Sequence, residues 1–220
     1  MCEIQISNKK KSENKMIGIV DYNAGNIKSV ERSLLALGID YKISKNPKDL
    51  ENVDRVIFPG VGEAAFAMEQ LQKSGFDSFL KDFAASGKPL LGICLGSQVI
   101  FDYSEEGNVD CLGLVKGSVK HFSSVLPESE KDLKIPHMGW SSVDFVKNLP
   151  IFDGIPNHSD FYFVHSYLIQ PENPDVVAGY ADYGVKVPAV IHSGNIYAMQ
   201  FHPEKSAQYG LALLRGFSKC

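Results

Sequence analysis

A cysteine lies where an apolar run gives way to a segment compatible with a helix. Leu90–Ile93 has the composition of a buried strand, Cys94 follows between Gly92 and Gly96, and helix-compatible residues cover 97–103. A strand that turns sharply into a helix exposes the side chain at the bend and directs backbone N–H groups toward it. A helix N-terminus and a neighbouring imidazolium both favour the thiolate, the nucleophilic form of cysteine. The pattern predicts a nucleophile on an elbow, and the alternative is an inert core thiol.

A histidine and a glutamate farther along the chain have the spacing of a base and its orienting partner. His202 and Glu204 flank Pro203, which favours extended geometry at the residue before it. Residues two apart on an extended segment face the same side, so the carboxylate could orient the imidazole and stabilise its protonated form. His202 alone is typical of a surface histidine, but a cysteine nucleophile needs a base. We therefore predict a triad of Cys94, His202 and Glu204.

Backbone N–H groups near Cys94 are candidates for stabilising a developing oxyanion. Leu95 supplies one N–H directly after the cysteine. A glycine-rich loop, Gly60-Val61-Gly62, follows another apolar run and is expected at the same carboxyl edge of a parallel sheet. The alternative is that this loop is an ordinary strand-to-helix turn.

The first half of the chain alternates between strand and helix patterns. Strands are predicted at residues 16–21, 40–44, 55–58 and 90–93, and helices after Asn26 and within 64–73 and 77–85. We expect Asn26 to cap the first helix and Gly38 to end it. The alternation predicts an α/β fold whose sheet is parallel and has helices on both faces.

The second half is rich in strand patterns. Strands are predicted at residues 117–122, 142–146, 161–169, 176–183, 187–192 and 196–201, with a hairpin turn at 193–195. A charged, serine-rich segment at 123–133 predicts an exposed loop, and 205–219 predicts an amphipathic helix. Together the two halves predict three layers, with a mixed, largely parallel sheet between helices.

Composition limits the classes of partner and compartment. The chain has 220 residues, is 44% hydrophobic and carries a formal net charge of -4, so nothing indicates nucleic acid or an anionic membrane as partner. Polar, lysine-rich residues 1–15 predict a flexible extension, and 16–220 a single domain. No run approaches the roughly 20 apolar residues of a membrane helix. Four cysteines without close pairing favour a reducing cytoplasm over a disulfide framework or a zinc site.

Several motifs together resemble one enzyme family. Cys94-Leu95-Gly96 with His202-Pro203-Glu204 resembles the class I (triad) glutamine amidotransferases. Within that family, further stretches resemble the glutaminase subunits of imidazole glycerol phosphate synthases. These stretches are Asp21-Tyr22 with Gly25-Asn26, Pro59-Gly60-Val61-Gly62, Pro136-His137-Met138-Gly139-Trp140, Tyr162-Phe163-Val164-His165-Ser166-Tyr167 and Gln200-Phe201-His202-Pro203-Glu204-Lys205-Ser206. The resemblance extends from Ile17 into the last helix and implies the elbow-bearing α/β fold of this family.

The resemblance also implies a role for each matching residue. Cys94 would attack the carboxamide of glutamine, His202 would transfer protons and Glu204 would orient His202. The oxyanion site would contain Val61, Gly62 and Leu95, the glutamine pocket Gly60, Gln98, Glu106, His165, Ser166 and Tyr167, and a subunit interface Trp140 and Tyr162. By residue type alone, Glu106 is more typical of a solvated charge, and the aromatic residues of core packing. The resemblance implies neither a cofactor nor a metal.

A partner follows from the chemistry of ammonia. Ammonia must stay unprotonated to react, so the resemblance implies a heterodimer in which a (β/α)8-barrel cyclase receives it through a channel, in histidine biosynthesis. Ser97, Ser141 and Glu63 depart from residues common in the family. Three alternatives stay open: the same chemistry feeding another synthase, such as one forming amidino sugars; a stand-alone cysteine hydrolase; and a catalytically silent relative.

Overall fold

A computed structural model describes residues 15–220. Within these residues the fold contains a nine-stranded sheet and a four-stranded sheet. The extension predicted at residues 1–15 lies outside the described residues except for Lys15, whose Nζ donates to the Cys220 carbonyl at 3.3 Å.

Five mutually parallel strands form one half of the large sheet and carry the predicted elbow. In chain order they are β1 (Ile17–Val20), β2 (Tyr41–Ser44), β3 (Arg55–Gly60), β4 (Leu90–Cys94) and the last strand, β13 (Ile196–Met199). Their spatial order is β2-β1-β3-β4-β13, and every neighbouring pair is parallel. Gly60 pairs with Cys94 at the carboxyl end of β3 and β4, so the glycine-rich loop emerges beside the cysteine.

Antiparallel strands complete the large sheet and form most of the small one. The large sheet continues from β13 through β12 (Lys186–Ser193), β11 (Val177–Asp182), β8 (His137–Phe145) and β9 (Ser159–His165). The small sheet contains β5 (Tyr103–Ser104), β6 (Val109–Asp110), β7 (Gly117–His121) and β10 (Tyr167–Pro171). β8 begins five residues before the strand predicted at 142–146, so the Pro136–Trp140 motif lies largely within it.

Helices cover both faces of the parallel half. On one face, α1 (Ile27–Leu37) and α6 (Ala207–Phe217) contact each other and pack on residues such as Ile57 and Ile93. On the other face, α2 (Ala64–Ser74) and α3 (Phe76–Ala85) pack on residues such as Phe58. Neighbouring residues of one strand belong to opposite clusters, as the pleat requires. The predicted α/β fold is confirmed.

The helix after Cys94 is much shorter than predicted. α4 covers Leu95–Gln98, whereas the sequence predicted a helix over residues 97–103. The backbone N–H groups of Leu112, Gly113 and Leu114 donate to the carbonyl oxygens of Val99, Phe101 and Ile100. Because these carbonyls are engaged from outside, they cannot accept the bonds that would extend the helix.

One predicted strand is divided between the two sheets. The strand predicted at 161–169 is interrupted at Ser166, so that β9 belongs to the large sheet and β10 to the small one. The Phe122 N–H donates to the Ser166 carbonyl at 3.0 Å at this break. Phe122 also begins a short helix, α5 (Phe122–Val125), and Leu126 after it is buried, so the predicted loop at 123–133 is partly ordered.

Candidate active site

Cys94 occupies a strained backbone bend at the end of β4. Its φ of 53° and ψ of -113° lie outside the regions that residues with side chains favour. The Ser97 hydroxyl donates to the Cys94 carbonyl at 2.6 Å and fixes the bend from within the first turn of α4. The predicted elbow is therefore present, and Ser97, a departure from the family pattern, contributes directly to it.

Close backbone packing explains the glycines beside the elbow. A Cβ at Gly96 would lie 2.0 Å from the Phe58 carbonyl oxygen, and one at Gly92 would lie 2.7 Å from the Gly96 oxygen. A Cβ at Gly60 would lie 2.6 Å from the Tyr22 hydroxyl and 2.7 Å from the Gly96 nitrogen. α4 can approach β3 and β4 this closely only without side chains at these positions.

The imidazole of His202 and the carboxylate of Glu204 form a buried pair. His202 Nδ1 lies 2.8 Å from Glu204 Oε1, and both side chains are almost completely inaccessible to solvent. His202 itself is extended, as predicted, but Glu204 lies in a 3₁₀ turn, Pro203–Lys205. The predicted pairing is present on a different backbone, because the turn after Pro203 brings the carboxylate back toward the ring.

The surroundings of His202 favour its charged form. Burial opposes the imidazolium, but hydrogen bonds to the Cys94 thiol and the Glu204 carboxylate outweigh burial and raise the pKa of His202 from 6.5 to about 9. Nδ1 donates to Glu204, which leaves Nε2 for the contact with Cys94. The ring is thus placed to exchange a proton with the sulfur or with a group bound beside it.

Asn26 contacts the buried carboxylate and was not predicted as a site residue. The sequence predicted a helix cap, but its side chain makes no capping hydrogen bond. Instead, Asn26 Nδ2 donates to Glu204 Oε1 at 3.2 Å. Oε1 therefore accepts from both Asn26 and His202, whereas Glu204 Oε2 is buried without a hydrogen-bond partner among residues 15–220. No local signal distinguishes such a contact from an ordinary cap.

A cavity of about 210 Å³ opens beside Cys94 and His202. Its other lining residues are Val61, Gly62, Leu95, Gln98, Glu106, Val164, His165, Ser166 and Tyr167. Gly60 lies next to this lining, packed beneath the loop against Tyr22 and Gly96. Val164 is an addition to the predicted set, and its carbonyl oxygen lies 4.0 Å from Cys94 Sγ. A larger cavity of about 450 Å³ near Phe79 and Lys88 lies toward the opposite end of β4.

Two polar residues of the lining have defined partners. Glu106 Oε2 accepts from the Ala64 N–H, the first residue of α2, at 3.0 Å, and burial raises the pKa of the Glu106 carboxyl. Gln98 Nε2 donates to the Tyr167 carbonyl at 2.9 Å and to Gln200 Oε1 at 3.0 Å. Gln98 therefore connects the elbow helix to the strand break that forms the far wall of the cavity.

The oxyanion candidates face the cavity from two sides. Leu95 begins α4, so its N–H belongs to the first turn and has no acceptor within the helix. Gly62 has a φ of 98° and open space at the position of a Cβ. Burial, followed by the nearby charge of Cys94, raises the pKa of Tyr22 beneath the loop, so its hydroxyl stays protonated.

Exposed aromatic and apolar side chains lie beside the site. We call Met138, Trp140 and Tyr162 the aromatic face. Met138 is 61% exposed and Trp140 is 55% exposed, and the Trp140 and Tyr162 rings meet edge to face at 6.1 Å. The Tyr162 carbonyl accepts from the His202 N–H at 2.9 Å, which connects this face to the triad. Trp140 is therefore not a core residue, and its exposure favours a contact with another molecule.

Metal and membrane sites were searched for in the part of the chain that the structure describes. Within residues 15–220, no cluster of three or more His, Cys, Asp and Glu side chains is arranged to bind a metal ion. In the same residues, every helix is too short or too polar to cross a lipid bilayer.

Comparisons with known proteins give concordant matches. The family model described as "Glutamine amidotransferase class-I" matches residues 18–218. The protein named imidazole glycerol phosphate synthase subunit HisH of Dehalococcoides mccartyi is 47% identical over 205 residues, which are 93% of this chain and 97% of that protein. Its namesake in Desulfitobacterium hafniense is 45% identical, covering 93% and 94%. The crystal structure of a putative GMP synthase protein of Thermoplasma acidophilum has a TM-score of 0.69 at 25% identity, covering 93% and 92%.

Proposed function

Because this chain belongs to the class I glutamine amidotransferases, we propose that Cys94, His202 and Glu204 release ammonia from the side-chain amide of glutamine. The observation that carries the proposal is a cysteine on a strained elbow, in hydrogen-bond contact with an imidazole whose other nitrogen contacts a buried carboxylate at 2.8 Å. All three belong to a site with a cavity of about 210 Å³, which suits a substrate the size of a free amino acid.

Acyl transfer begins with the thiolate and imidazolium pair. The Cys94 sulfur attacks the carboxamide carbon, and the N–H groups of Leu95 and of the Val61–Gly62 loop stabilise the oxyanion. His202 donates its proton to the leaving nitrogen as the C–N bond breaks, which gives ammonia and a γ-glutamyl thioester. The neutral imidazole then takes a proton from water, which attacks the thioester. Breaking the C–S bond releases glutamate and restores the ion pair.

Charge and position assign the substrate contacts. The Glu106 carboxylate suits the α-ammonium of glutamine, and its hydrogen bond to the Ala64 N–H favours the ionised form against burial. Ser166 and Tyr167 line the opposite wall at the strand break. Gln98 acts on this wall indirectly, because its amide nitrogen is bonded to the Tyr167 carbonyl.

The relatives support a specific destination for the ammonia. The two HisH proteins match nearly the whole chain at 45% and 47% identity. We infer that this chain is the glutaminase subunit of an imidazole glycerol phosphate synthase in histidine biosynthesis, and that it docks through the aromatic face on a (β/α)8-barrel cyclase. Docking beside His202 would deliver ammonia without exposure to water. A catalytic free thiol favours a reducing compartment, and we place the enzyme in the cytoplasm.

The test measures glutamine hydrolysis and imidazole glycerol phosphate formation with the cyclase encoded by the same genome. We expect the cyclase, occupied by its own substrate, to stimulate hydrolysis. Cys94→Ala should abolish both activities with glutamine, and external ammonium salts should restore the cyclase product. The matched control is Cys111→Ala, which removes a thiol outside the lining of the cavity and should change neither activity.

Each remaining outcome identifies an alternative. Equal hydrolysis with and without the cyclase would indicate a stand-alone hydrolase. Stimulation by a different synthase alone would indicate the amidino-sugar type of acceptor. Full activity of Cys94→Ala would contradict the triad itself.

A further inference from the structure

Two buried histidines lie behind the wall of the cavity, and the proton transfers above do not use them. His137 begins β8 and pairs in register with His165, the last residue of β9. His137 Nδ1 lies 3.0 Å from His165 Nε2, and the two residues are 1% and 6% exposed. Each ring has a second hydrogen bond, so the pair belongs to a longer chain of contacts.

The ends of this chain determine the direction of every hydrogen bond in it. His165 Nδ1 lies 2.7 Å from the Tyr167 carbonyl oxygen, which can only accept, so Nδ1 carries the proton. In a neutral ring His165 Nε2 must then accept, and His137 Nδ1 must donate to it. His137 Nε2 is left to accept from the Ser141 hydroxyl at 2.8 Å. Donation therefore proceeds from Ser141 through His137 and His165 to Tyr167.

Burial keeps both rings in the neutral form that this direction requires. Burial lowers the pKa of His137 to about 4, and it lowers that of His165 to about 3 against the opposing effect of the Tyr167 carbonyl. His137 is also stacked between two rings, with centroids 4.7 Å from Phe163 and 4.1 Å from Tyr183. The stacking fixes the plane of the ring, and the hydrogen bonds fix its orientation within the plane.

The chain ends at the break that shapes the cavity. The Tyr167 carbonyl accepts from His165 Nδ1 and also from Gln98 Nε2, so both of its lone pairs are used. Ser166, between the two strands, presents its carbonyl to Phe122. The chain direction at Ser166 and Tyr167 is thereby determined by side chains from α4, β8 and β9 together.

We propose that His137 is a positioning residue for the glutamine pocket, because it donates to His165 and thereby orients the Ser166–Tyr167 wall against which the substrate lies. The identity of the ligand rests on the proposed function, whereas the hydrogen-bond chain does not. The proposal also redefines His165. Both of its ring nitrogens are engaged within the protein, so it contributes its backbone and ring face to the pocket and no side-chain hydrogen bond to glutamine.

Two substitutions of His137 separate positioning from packing. His137→Phe keeps a stacking ring between Phe163 and Tyr183 but leaves His165 Nε2 buried without a donor. His137→Asn loses the ring, but its amide nitrogen replaces Nδ1 at a similar distance from the backbone. If His137 positions the wall, glutamine affinity falls about tenfold in His137→Phe and recovers at least partly in His137→Asn. If it only fills space, His137→Asn is the more damaging change, and that order would overturn the proposal.

The affinity is measured by calorimetric titration of glutamine into variants that also carry Cys94→Ala, so turnover does not interfere. Thermal unfolding of each variant records its packing cost separately. Absence of glutamine binding to Cys94→Ala with His137 intact would contradict the proposed function instead.

A spectroscopic measurement decides the hydrogen-bond chain even in that case. Long-range ¹H–¹⁵N correlation spectra of the full chain should show both His137 and His165 as neutral Nδ1–H tautomers, assigned by His→Phe substitution. Because Nε2–H is the tautomer that free imidazole side chains prefer in water, this result is not the default. An Nε2–H tautomer or a protonated ring at either position at neutral pH would refute the chain. Ser141→Ala should leave both tautomers in place and perturb the His137 Nε2 resonance.

Discussion

The nucleophile and the rest of the site are fixed by different kinds of contact. Around Cys94, backbone meets backbone: α4 packs so tightly on β3 that a Cβ at Gly96 would lie 2.0 Å from the Phe58 oxygen. Around His202 and the pocket wall, side chains join distant segments, as Asn26 does with Glu204 and Gln98 does with Tyr167. We call the first the elbow region and the second the network region.

The difference predicts two kinds of sensitivity. Atoms in van der Waals contact cannot move aside without displacing the strained bend, so the elbow region should tolerate no added side chain. A hydrogen bond can be removed singly, and the loss is limited to about 0.5–3 kcal/mol for each. The network region should therefore respond in steps that measure each contact.

The largest effect is expected from Gly96→Ala. The new Cβ would overlap the Phe58 carbonyl oxygen, so α4 must shift, at a cost of about 3 kcal/mol or more. A displacement of about 1 Å at Cys94 would also lower glutaminase activity about 100-fold. Urea unfolding and glutamate release measure the two effects.

Gly87→Ala is the matched control. Gly87 has a φ of 78° but open space around its Cβ position, so only the backbone cost of about 1 kcal/mol applies, and activity should not change. Equal destabilisation by the two substitutions would show that steric contact does not distinguish the elbow region.

The next effect is expected in the network region, from Glu204→Gln. Loss of the carboxylate should lower activity about 10²–10⁴-fold, because the imidazolium loses its partner and the ring loses its orientation. Glu204 contributes to the raised pKa of His202, about 9, so the wild type should lose activity as pH rises through that value and the acid is lost. In the variant this decline should begin at lower pH. A pH–rate profile with an unchanged alkaline limb would contradict the assignment.

The same pKa predicts the pH dependence of stability. The folded-state pKa of His202 lies above its ordinary value of 6.5, so its pairing stabilises the fold fully below that value. The contribution is lost as pH rises through about 9. Unfolding measured between these limits should show the wild type losing more stability than Glu204→Gln.

The aromatic face should be independent of both regions. Trp140→Ala should weaken cyclase binding about 30-fold, because exposed tryptophans at interfaces often contribute about 2 kcal/mol. Stability should change little, since the side chain is 55% exposed. Leu35→Ala is the control, as a 60% exposed residue on α1 that should leave affinity unchanged. Equal affinities of Trp140→Ala and the wild type would exclude this face as the docking surface.

The elbow region was predictable from sequence because its signals are local. The apolar run, the flanking glycines and the strand–helix alternation all occur within a short stretch around Cys94. The pairing of His202 with Glu204 followed from proximity in sequence even though the predicted extended backbone was wrong at Glu204. These features required no knowledge of which segments meet in space.

The network region was not predictable in the same way, because its partners are far apart. Asn26 is 178 positions from Glu204, and Gln98 is 69 positions from Tyr167. The apolar alternation through 161–169 continues across Ser166, so the pattern gives no sign that the chain changes sheets there. The motifs that resembled a family located these residues correctly, but only the fold explains what they contact.

The smallest predicted effect, from Asn26→Ala, tests the finest claim about the network region. Removing one of two donors to Glu204 Oε1 should lower activity about fivefold to tenfold, because a hydrogen bond to a charged group is lost while His202 remains bonded. Asn46→Ala is the control, since Asn46 caps a 3₁₀ turn remote from the site and its loss should reduce stability without changing activity. Asn26→Asp sharpens the comparison. It places a second carboxylate beside Glu204, so activity should fall further than in Asn26→Ala, and the order of the two variants distinguishes a donor to Glu204 from a simple filler of space.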